Sequence, residues 1–325
     1  MKYALMNKID DNRKSLLGVA VILILCVHSI SIIDMPKIVR SVMGIGSAGI
    51  YIFAFLSGRG LYFSLNSGKY TKTIEFYRRR FSRIMIPYLL ISIVWYGIKW
   101  LILSFKPLDF LYDLSTISFW VSHRGAWYVA FLIPVYLLYP LFYKWVSTSN
   151  TIIKCISVIS LILAFLLFLN INLHDLYSHF SQIAWSLISV VLGVCSTEID
   201  TDSLFCNVLV FGVGLLSGLA LWIGNEFING IAMINLGLLI VVFMAKVLTS
   251  NISRYFKKPL EKLGEISLEM YLWNIYLLQA FTLIDNVNLL SANTLVIYVL
   301  IVIFGILLSL MSSKFEHVIM NSLTR

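Results

Sequence analysis

The sequence predicts an all-α protein, a polytopic bundle of about ten transmembrane helices with both termini in the cytoplasm. Hydrophobic residues make up 59% of the 325 residues, charged residues make up 13%, and the mean hydropathy is +0.89. Soluble globular domains carry about 25% charged residues. Apolar runs of about 18 or more residues, each long enough to cross a hydrocarbon layer of about 30 Å, recur along the whole chain. This composition excludes an ordinary soluble domain.

About ten such runs can be drawn, and each is expected to form one transmembrane helix. No small-residue cleavage site follows the first run, so we interpret it as a retained span rather than a signal peptide. No loop between runs exceeds about 20 residues, so the sequence predicts a single domain over 1–325 without a separate soluble part. The predicted spans are 16–33, 42–66, 84–104, 125–145, 153–170, 181–196, 206–223, 230–248, 265–284 and 294–312.

The distribution of lysine and arginine predicts the orientation. With the N-terminus inside, about 18 of the 25 basic residues fall in cytoplasmic segments and about five fall in outer segments. This is the positive-inside pattern. It explains most of the net charge of +9 as a topology signal and argues against a nucleic-acid partner. One inner loop, 196–203, is acidic, but acidic residues contribute little to orientation.

The first predicted span contains LGVAVILILCVH at 17–28, and His28 lies about two-thirds of the way across this span, toward the outer side. An ionisable side chain inside an apolar span is costly, and such residues almost always face the bundle interior or a wet cavity. A neutral imidazole can accept a proton from a hydroxyl, which suits it to general-base catalysis. The alternative is a histidine that only forms a hydrogen bond between helices. The four cysteines form no C-x-x-C pair, and no metal site is predicted.

The second span contains GIGSAGIYIFAFLSGRGLYFSL at 44–65, whose small residues allow another helix to approach closely. Arg59 lies inside this run. Its long side chain either snorkels to the inner face or lines a polar cavity.

Four arginines fall within six residues of FYRRRFSRIMIPYL, at 76–89, just before the third span. Arg80 and Arg83 are three residues apart and share one face of a helix. They either anchor this segment at the inner surface or bind a phosphate through forked hydrogen bonds. The two roles are compatible. Trp127 begins WYVAFLIPVYLLYP, which is also typical of an aromatic belt at a membrane interface.

Taken in order with the late LGEISLEMYLW, these motifs resemble the acyltransferase-3 family, the integral-membrane O-acyltransferases of bacteria. The resemblance covers essentially the whole chain. It places His28 at the family's catalytic histidine and Arg80 and Arg83 at its paired arginines. The remaining family positions fall on Ser57, Gly58, Trp127, Tyr271 and Leu272.

Three positions depart from the family pattern. Leu17 stands where the family has a basic residue eleven positions before the histidine, with Lys14 and Arg13 as the nearest substitutes. Tyr51 stands at an expected aspartate, and Asn274 stands at an expected late histidine. These departures leave the fold expectation unchanged. They indicate either a divergent substrate or reduced catalytic activity.

The resemblance implies an O-acyltransferase, most simply an O-acetyltransferase, in the bacterial cytoplasmic membrane. The donor would be acetyl-CoA, with no metal, and the acceptor would be a hydroxyl of a cell-envelope glycan or a lipid-linked saccharide. His28 would act as a base or carry the acyl group itself. The alternatives are a carrier or flippase for a lipid-linked sugar, and a family member that binds without turnover. The implied residues are His28 for catalysis, Lys14, Arg80 and Arg83 for the cofactor, and Ser57, Trp127 and Asn274 for the substrate.

Overall fold

The computed structural model describes residues 4–103, 106–198, 212–214, 216–221, 224–285 and 294–323, and every regular element in these ranges is helical. The all-α prediction is therefore confirmed for the described residues. The helices are α1 (Ala4–Asp11), α2 (Arg13–Ser29), α3 (Lys37–Gly44), α4 (Ala48–Asn66), α5 (Thr73–Leu103), α6 (Pro107–Leu114), α7 (Ile117–Ser122), α8 (Trp127–Val146), α9 (Thr151–Asn172), α10 (His174–Cys195), α11 (Glu226–Leu248), α12 (Lys257–Glu265), α13 (Ser267–Asp285) and α14 (Thr294–Leu323).

Seven helical stretches of the described chain are long and apolar enough to cross a membrane. An eighth arises if α1 and α2, which meet at an angle of 74°, are counted as one broken span. These eight overlap eight of the predicted spans. The predicted span at 206–223 lies largely outside the described residues, and the span at 265–284 corresponds to α13, which is helical but is not among the seven. The count of ten and the orientation of the termini stay predictions.

The chain divides into two compact units, which are described separately. Unit 1 contains α1 to α4, the end of α8, and α9 to α12, whereas unit 2 contains α5 to α7, most of α8, α13 and α14. In residues, unit 1 is Met1–Ile30, Met35–Lys69 and Leu141–Glu265, and unit 2 is Ser31–Asp34, Tyr70–Pro140 and Ile266–Arg325.

In unit 1, helices α4 and α10 pack backbone against backbone. A Cβ atom on Gly58 of α4 would overlap the carbonyl oxygen of Val190, and one on Gly193 of α10 would overlap that of Phe55. Each glycine is therefore required by the close approach of the opposite helix. The prediction that small residues in 44–65 allow close helix contact is confirmed.

A second close contact in unit 1 joins α2 to α12. A Cβ atom on Gly18 would overlap the backbone of Leu260, and one on Gly264 would overlap the carbonyl oxygen of Lys14. The short helix α12 is thus held along the first turns of α2.

Helices α10 and α11 run in the same direction within unit 1. Trp185, in the middle of α10, contacts Phe227 at the start of α11, with 5.3 Å between ring centroids. Ser196, just after α10, bonds to Arg59, which also contacts Met6. Leu248 at the end of α11 belongs to the apolar core that includes Met6. Both helices therefore end near α1.

Unit 2 is joined by hydrogen bonds and aromatic contacts between α5, α8, α13 and α14. The Ser92 and Tyr276 hydroxyls lie 2.7 Å apart and connect α5 to α13. The Trp273 indole N–H donates to Ser312 Oγ at 2.9 Å and connects α13 to α14. The short helices α6 and α7 follow α5 and precede α8.

Candidate functional site

His28 lies in the last turn of α2 and is half-buried. Helix α2 is continuous from Arg13 to Ser29, so His28 lies near its C-terminal end and Lys14 near its N-terminal end. Fourteen residues separate the two side chains, which corresponds to about 21 Å along the axis. A ligand that touches both residues has to be elongated.

Lys14 is paired in this structure. Its Nζ lies 2.7 Å from Oε1 of Glu265 at the end of α12, and both side chains are more than half exposed. An exposed ion pair of this kind contributes little to stability because water and salt screen it. Lys14 can therefore exchange Glu265 for another anion at small cost.

Arg59 is buried in unit 1, with only 1% of its surface exposed. Its Nε and Nη2 donate to the two carboxylate oxygens of Asp10 at 3.0 and 2.7 Å, and its Nη1 donates to Ser196 Oγ at 2.7 Å. The interpretation that Arg59 snorkels to the surface is wrong, because the short helix α1 and the end of α10 bring polar partners to it. The alternative, a polar cavity lined by Arg59, stays a prediction, since the structure shows Asp10 and Ser196 bonded directly to the guanidinium.

The start of the acidic loop that breaks the positive-inside pattern is part of the same polar region. Besides Ser196, this loop provides Glu198, whose carboxylate accepts a hydrogen bond of 2.8 Å from the Tyr62 hydroxyl of α4. In the sequence, this loop is distinguished only by being acidic among predicted inner segments that are basic. A buried arginine requires a carboxylate partner, and this requirement is the signal that could have directed attention to nearby acidic residues such as Asp10.

Ser57 and Tyr51 lie on α4 and are half-buried. Ser57 precedes Gly58, so the close contact with α10 fixes its position. Tyr51 packs against the apolar cluster that contains Tyr177 and Trp185. At this departure from the family pattern, an aromatic packing residue occupies the place of a carboxylate.

The paired arginines lie in unit 2, in the first turns of α5, and differ in environment. Arg80 is half-buried, and its guanidinium carbon lies 5.8 Å above the ring of the buried Phe76. Arg83, three residues later, is exposed. Arg80 is therefore held by a cation–π contact, whereas Arg83 is open to a ligand from outside the helix.

In unit 2, the family position Tyr271 contacts the residue that follows another family position, Trp127. The hydroxyl of Tyr271 on α13 accepts a hydrogen bond of 3.1 Å from the backbone N–H of Tyr128, next to the half-buried Trp127 at the start of α8. The rings of Tyr128 and Tyr271 also contact each other, with centroids 6.0 Å apart. Asn274 is buried one turn further along α13. The structure thus fixes the start of α8 against α13.

A buried carboxylate in unit 2 was missed by sequence reasoning. Asp113, on α6, has 2% of its surface exposed and lies near two cations. The Lys99 Nζ is 3.6 Å from Oδ2, and the Arg124 Nη2 is 3.4 Å from Oδ1. In the sequence these cations count only as basic residues of outer segments. A single aspartate in a short polar stretch carries no pattern that predicts its burial.

The comparisons with known proteins identify one family. A family model described as an acyltransferase domain matches residues 16–314. No curated protein and no solved structure matches the chain. The match includes His28, the paired arginines and Trp127, and the resemblance inferred from the motifs is confirmed over nearly the whole chain.

Proposed function

Because this chain belongs to the acyltransferase-3 family and carries several helices able to cross a membrane, we propose that it is an O-acetyltransferase of the bacterial cytoplasmic membrane. Family membership makes it a multi-pass membrane acyltransferase. We propose acetyl-CoA as the donor and a hydroxyl of a cell-envelope glycan or lipid-linked saccharide as the acceptor. The observation that carries this proposal is the family match over residues 16–314, with His28 at the family's histidine position in the last turn of α2.

His28 is the proposed catalytic residue. In its neutral form it accepts the proton of the acceptor hydroxyl while the oxygen attacks the thioester carbonyl. The C–S bond then breaks, and the coenzyme leaves as a thiol after taking the proton. In the alternative route, the imidazole attacks first, and the acyl-histidine then passes the group to the hydroxyl. Both routes require His28 to carry a ring nitrogen that can act as a base or nucleophile.

The coenzyme carries several phosphate groups, which suits the basic residues of the predicted cytoplasmic segments. Arg83 is exposed and Arg80 is held on Phe76, so a phosphate can bind without burying a new charge. Lys14 is a further candidate because its bond to Glu265 is exposed. An elongated donor is consistent with the separation of Lys14 from His28 along α2. Ser57, Trp127 and Asn274 are proposed to contact the substrates.

The test measures free thiol released from acetyl-CoA by the purified protein in lipid nanodiscs, with a membrane extract as the source of acceptor. His28→Ala and His28→Asn should each lose about 10²–10⁴-fold in rate, since asparagine can form one hydrogen bond but cannot act as a base. His317→Ala is the matched control, because His317 is exposed on α14. A His28→Asn variant that keeps most of the wild-type rate would reduce His28 to a hydrogen-bonding residue.

A further inference from the structure

A cluster of polar and aromatic side chains is buried in unit 2, where α6 and α13 pack against α5, and the mechanism above does not use it. We call it the Asp113 cluster. It consists of Tyr88, Ser92, Trp95, Tyr96, Asp113 and Tyr276, with Lys99 and Arg124 beside the carboxylate.

The carboxylate of Asp113 has room for another hydrogen bond. Its two cations lie at 3.4 and 3.6 Å, whereas a charge-assisted hydrogen bond is typically about 2.7–2.9 Å long. Its Oδ1 is buried and accepts no hydrogen bond from the described residues.

The indole of Trp95 offers the complementary group. Trp95 is 7% exposed, and its Nε1 makes no hydrogen bond within the described part of the chain. Its ring is stacked on Tyr276, with centroids 5.6 Å apart and planes 15° apart. The Tyr276 ring also meets Tyr96 edge-on at 5.7 Å. A buried donor and a buried acceptor therefore lie in one aromatic cluster.

Gly125 packs closely against this cluster. Its φ of +93° favours glycine, and a Cβ atom there would lie 3.0 Å from the Tyr96 hydroxyl. The neighbouring Arg124 is the residue whose Nη2 faces Asp113. The turn before α8 thus keeps side-chain bulk away from the Tyr96 hydroxyl.

Buried polar atoms without hydrogen bonds are rare in native proteins, and each one needs an explanation. A sugar ring offers partners for these two atoms together with apolar C–H faces. Its hydroxyls can donate to Asp113 Oδ1 and accept from the Trp95 N–H, and its C–H faces pack on tyrosine and tryptophan rings. We propose that the Asp113 cluster binds one sugar ring of the acceptor. This inference rests on the proposed function, because it assigns the saccharide acceptor to a place in unit 2.

The test is saturation-transfer NMR of the full chain in nanodiscs without acetyl-CoA, with maltose and N,N′-diacetylchitobiose as probes. Trp95→Phe keeps an aromatic ring but removes the N–H together with part of the indole, so it should weaken binding by at least about 3- to 10-fold, the value of one hydrogen bond. Tyr96→Phe, which removes the hydroxyl beside Gly125, should weaken binding by a similar factor. Trp100→Phe is the matched control, since Trp100 lies on the same helix but is 44% exposed.

The thermal midpoint of the ligand-free protein provides a second readout. Because Trp95→Phe also removes buried ring volume, we expect it to lower the midpoint. Sugar binding is therefore compared at a temperature at which all variants are folded. The proposal is overturned if neither disaccharide binds the wild type, or if Trp95→Phe and Trp100→Phe bind equally well.

The same variants separate this inference from the proposed function. Equal acceptor KM values in Trp95→Phe and Trp100→Phe, in a protein that does release coenzyme A, would refute the sugar subsite alone. Sugar binding that depends on Trp95, in a protein that never consumes acetyl-CoA, would refute the transferase and keep the subsite.

Discussion

Arg59 in unit 1 and Asp113 in unit 2 are both buried charges, but their partners hold them differently. Arg59 makes three bonds of 2.7 to 3.0 Å to Asp10 and Ser196. Asp113 has its cations at 3.4 and 3.6 Å and one oxygen that accepts no hydrogen bond within the described residues. Short bidentate bonds indicate a structural pair, whereas long contacts leave hydrogen-bonding capacity for a ligand. The comparison separates a charge that stabilises the fold from one that is open to binding.

The largest expected effect follows from removing the partner of Arg59. Asp10→Ala leaves a buried guanidinium without its carboxylate, which costs about 3–5 kcal/mol when such a pair is broken. We expect the lower end of this range, because Asp10 itself is 32% exposed. The thermal midpoint of the purified protein measures the effect. Asp11→Ala is the control, since Asp11 is the exposed neighbour on α1. Equal midpoints in the two variants would contradict the structural role of Arg59.

The next largest effect tests the close packing of unit 1. Gly58→Ala places a methyl group against the carbonyl oxygen of Val190, so α4 and α10 have to separate. Overpacking of this kind costs about 1–3 kcal/mol. Gly97→Ala on α5 of unit 2 is the control, because its Cβ would meet no described atom within 4 Å. Alanine is the better helix former, so that variant should be unchanged or slightly stabilised. A Gly58→Ala protein as stable as Gly97→Ala would contradict the backbone contact between α4 and α10.

The sequence predicts the helical class, a histidine within the first span and the arginines just before the third span, because these features are local and follow from hydrophobic runs and short spacings. The pairing of side chains does not follow from them. Asp10 and Arg59 are 49 residues apart, and Ser196 and Arg59 are 137 apart. No periodicity encodes such a contact, so the sequence alone does not decide which environment surrounds the Arg59 side chain. That depends on how α1 and α10 pack.

The number of spans shows the same limit. Helices α10 and α11 both end near α1, and this shared direction follows from their packing, which hydropathy does not supply. The predicted span at 206–223 lies largely outside the described residues and stays a prediction.

A smaller effect on stability is expected at Asp113. Asp113→Asn removes the charge but keeps the shape, and the cations are partly exposed, with 20% of Lys99 and 45% of Arg124 accessible. They can regain water, so we expect a loss of about 1–2 kcal/mol, below that of Asp10→Ala. The same variant should bind maltose more weakly. The two midpoints, measured side by side, decide this ranking. If Asp113→Asn lowered the midpoint more than Asp10→Ala, the assignment of Arg59 as the structural charge and of Asp113 as the ligand-binding charge would be contradicted.

The smallest effect on stability is expected at the exposed pair of Lys14 and Glu265. Both side chains are more than half exposed, and exposed pairs contribute about 0–1 kcal/mol. Lys14→Ala should therefore leave the thermal midpoint almost unchanged.

If Lys14 binds a phosphate of the donor, the same variant should weaken coenzyme A binding, and high salt should reduce the difference from wild type because it screens the lost charge. Glu265→Ala is the control, since it breaks the same ion pair but keeps the cation. Isothermal titration with coenzyme A distinguishes the two variants. Equal losses of affinity in both would mean that the ion pair positions α12 for binding, and that Lys14 makes no contact with the donor.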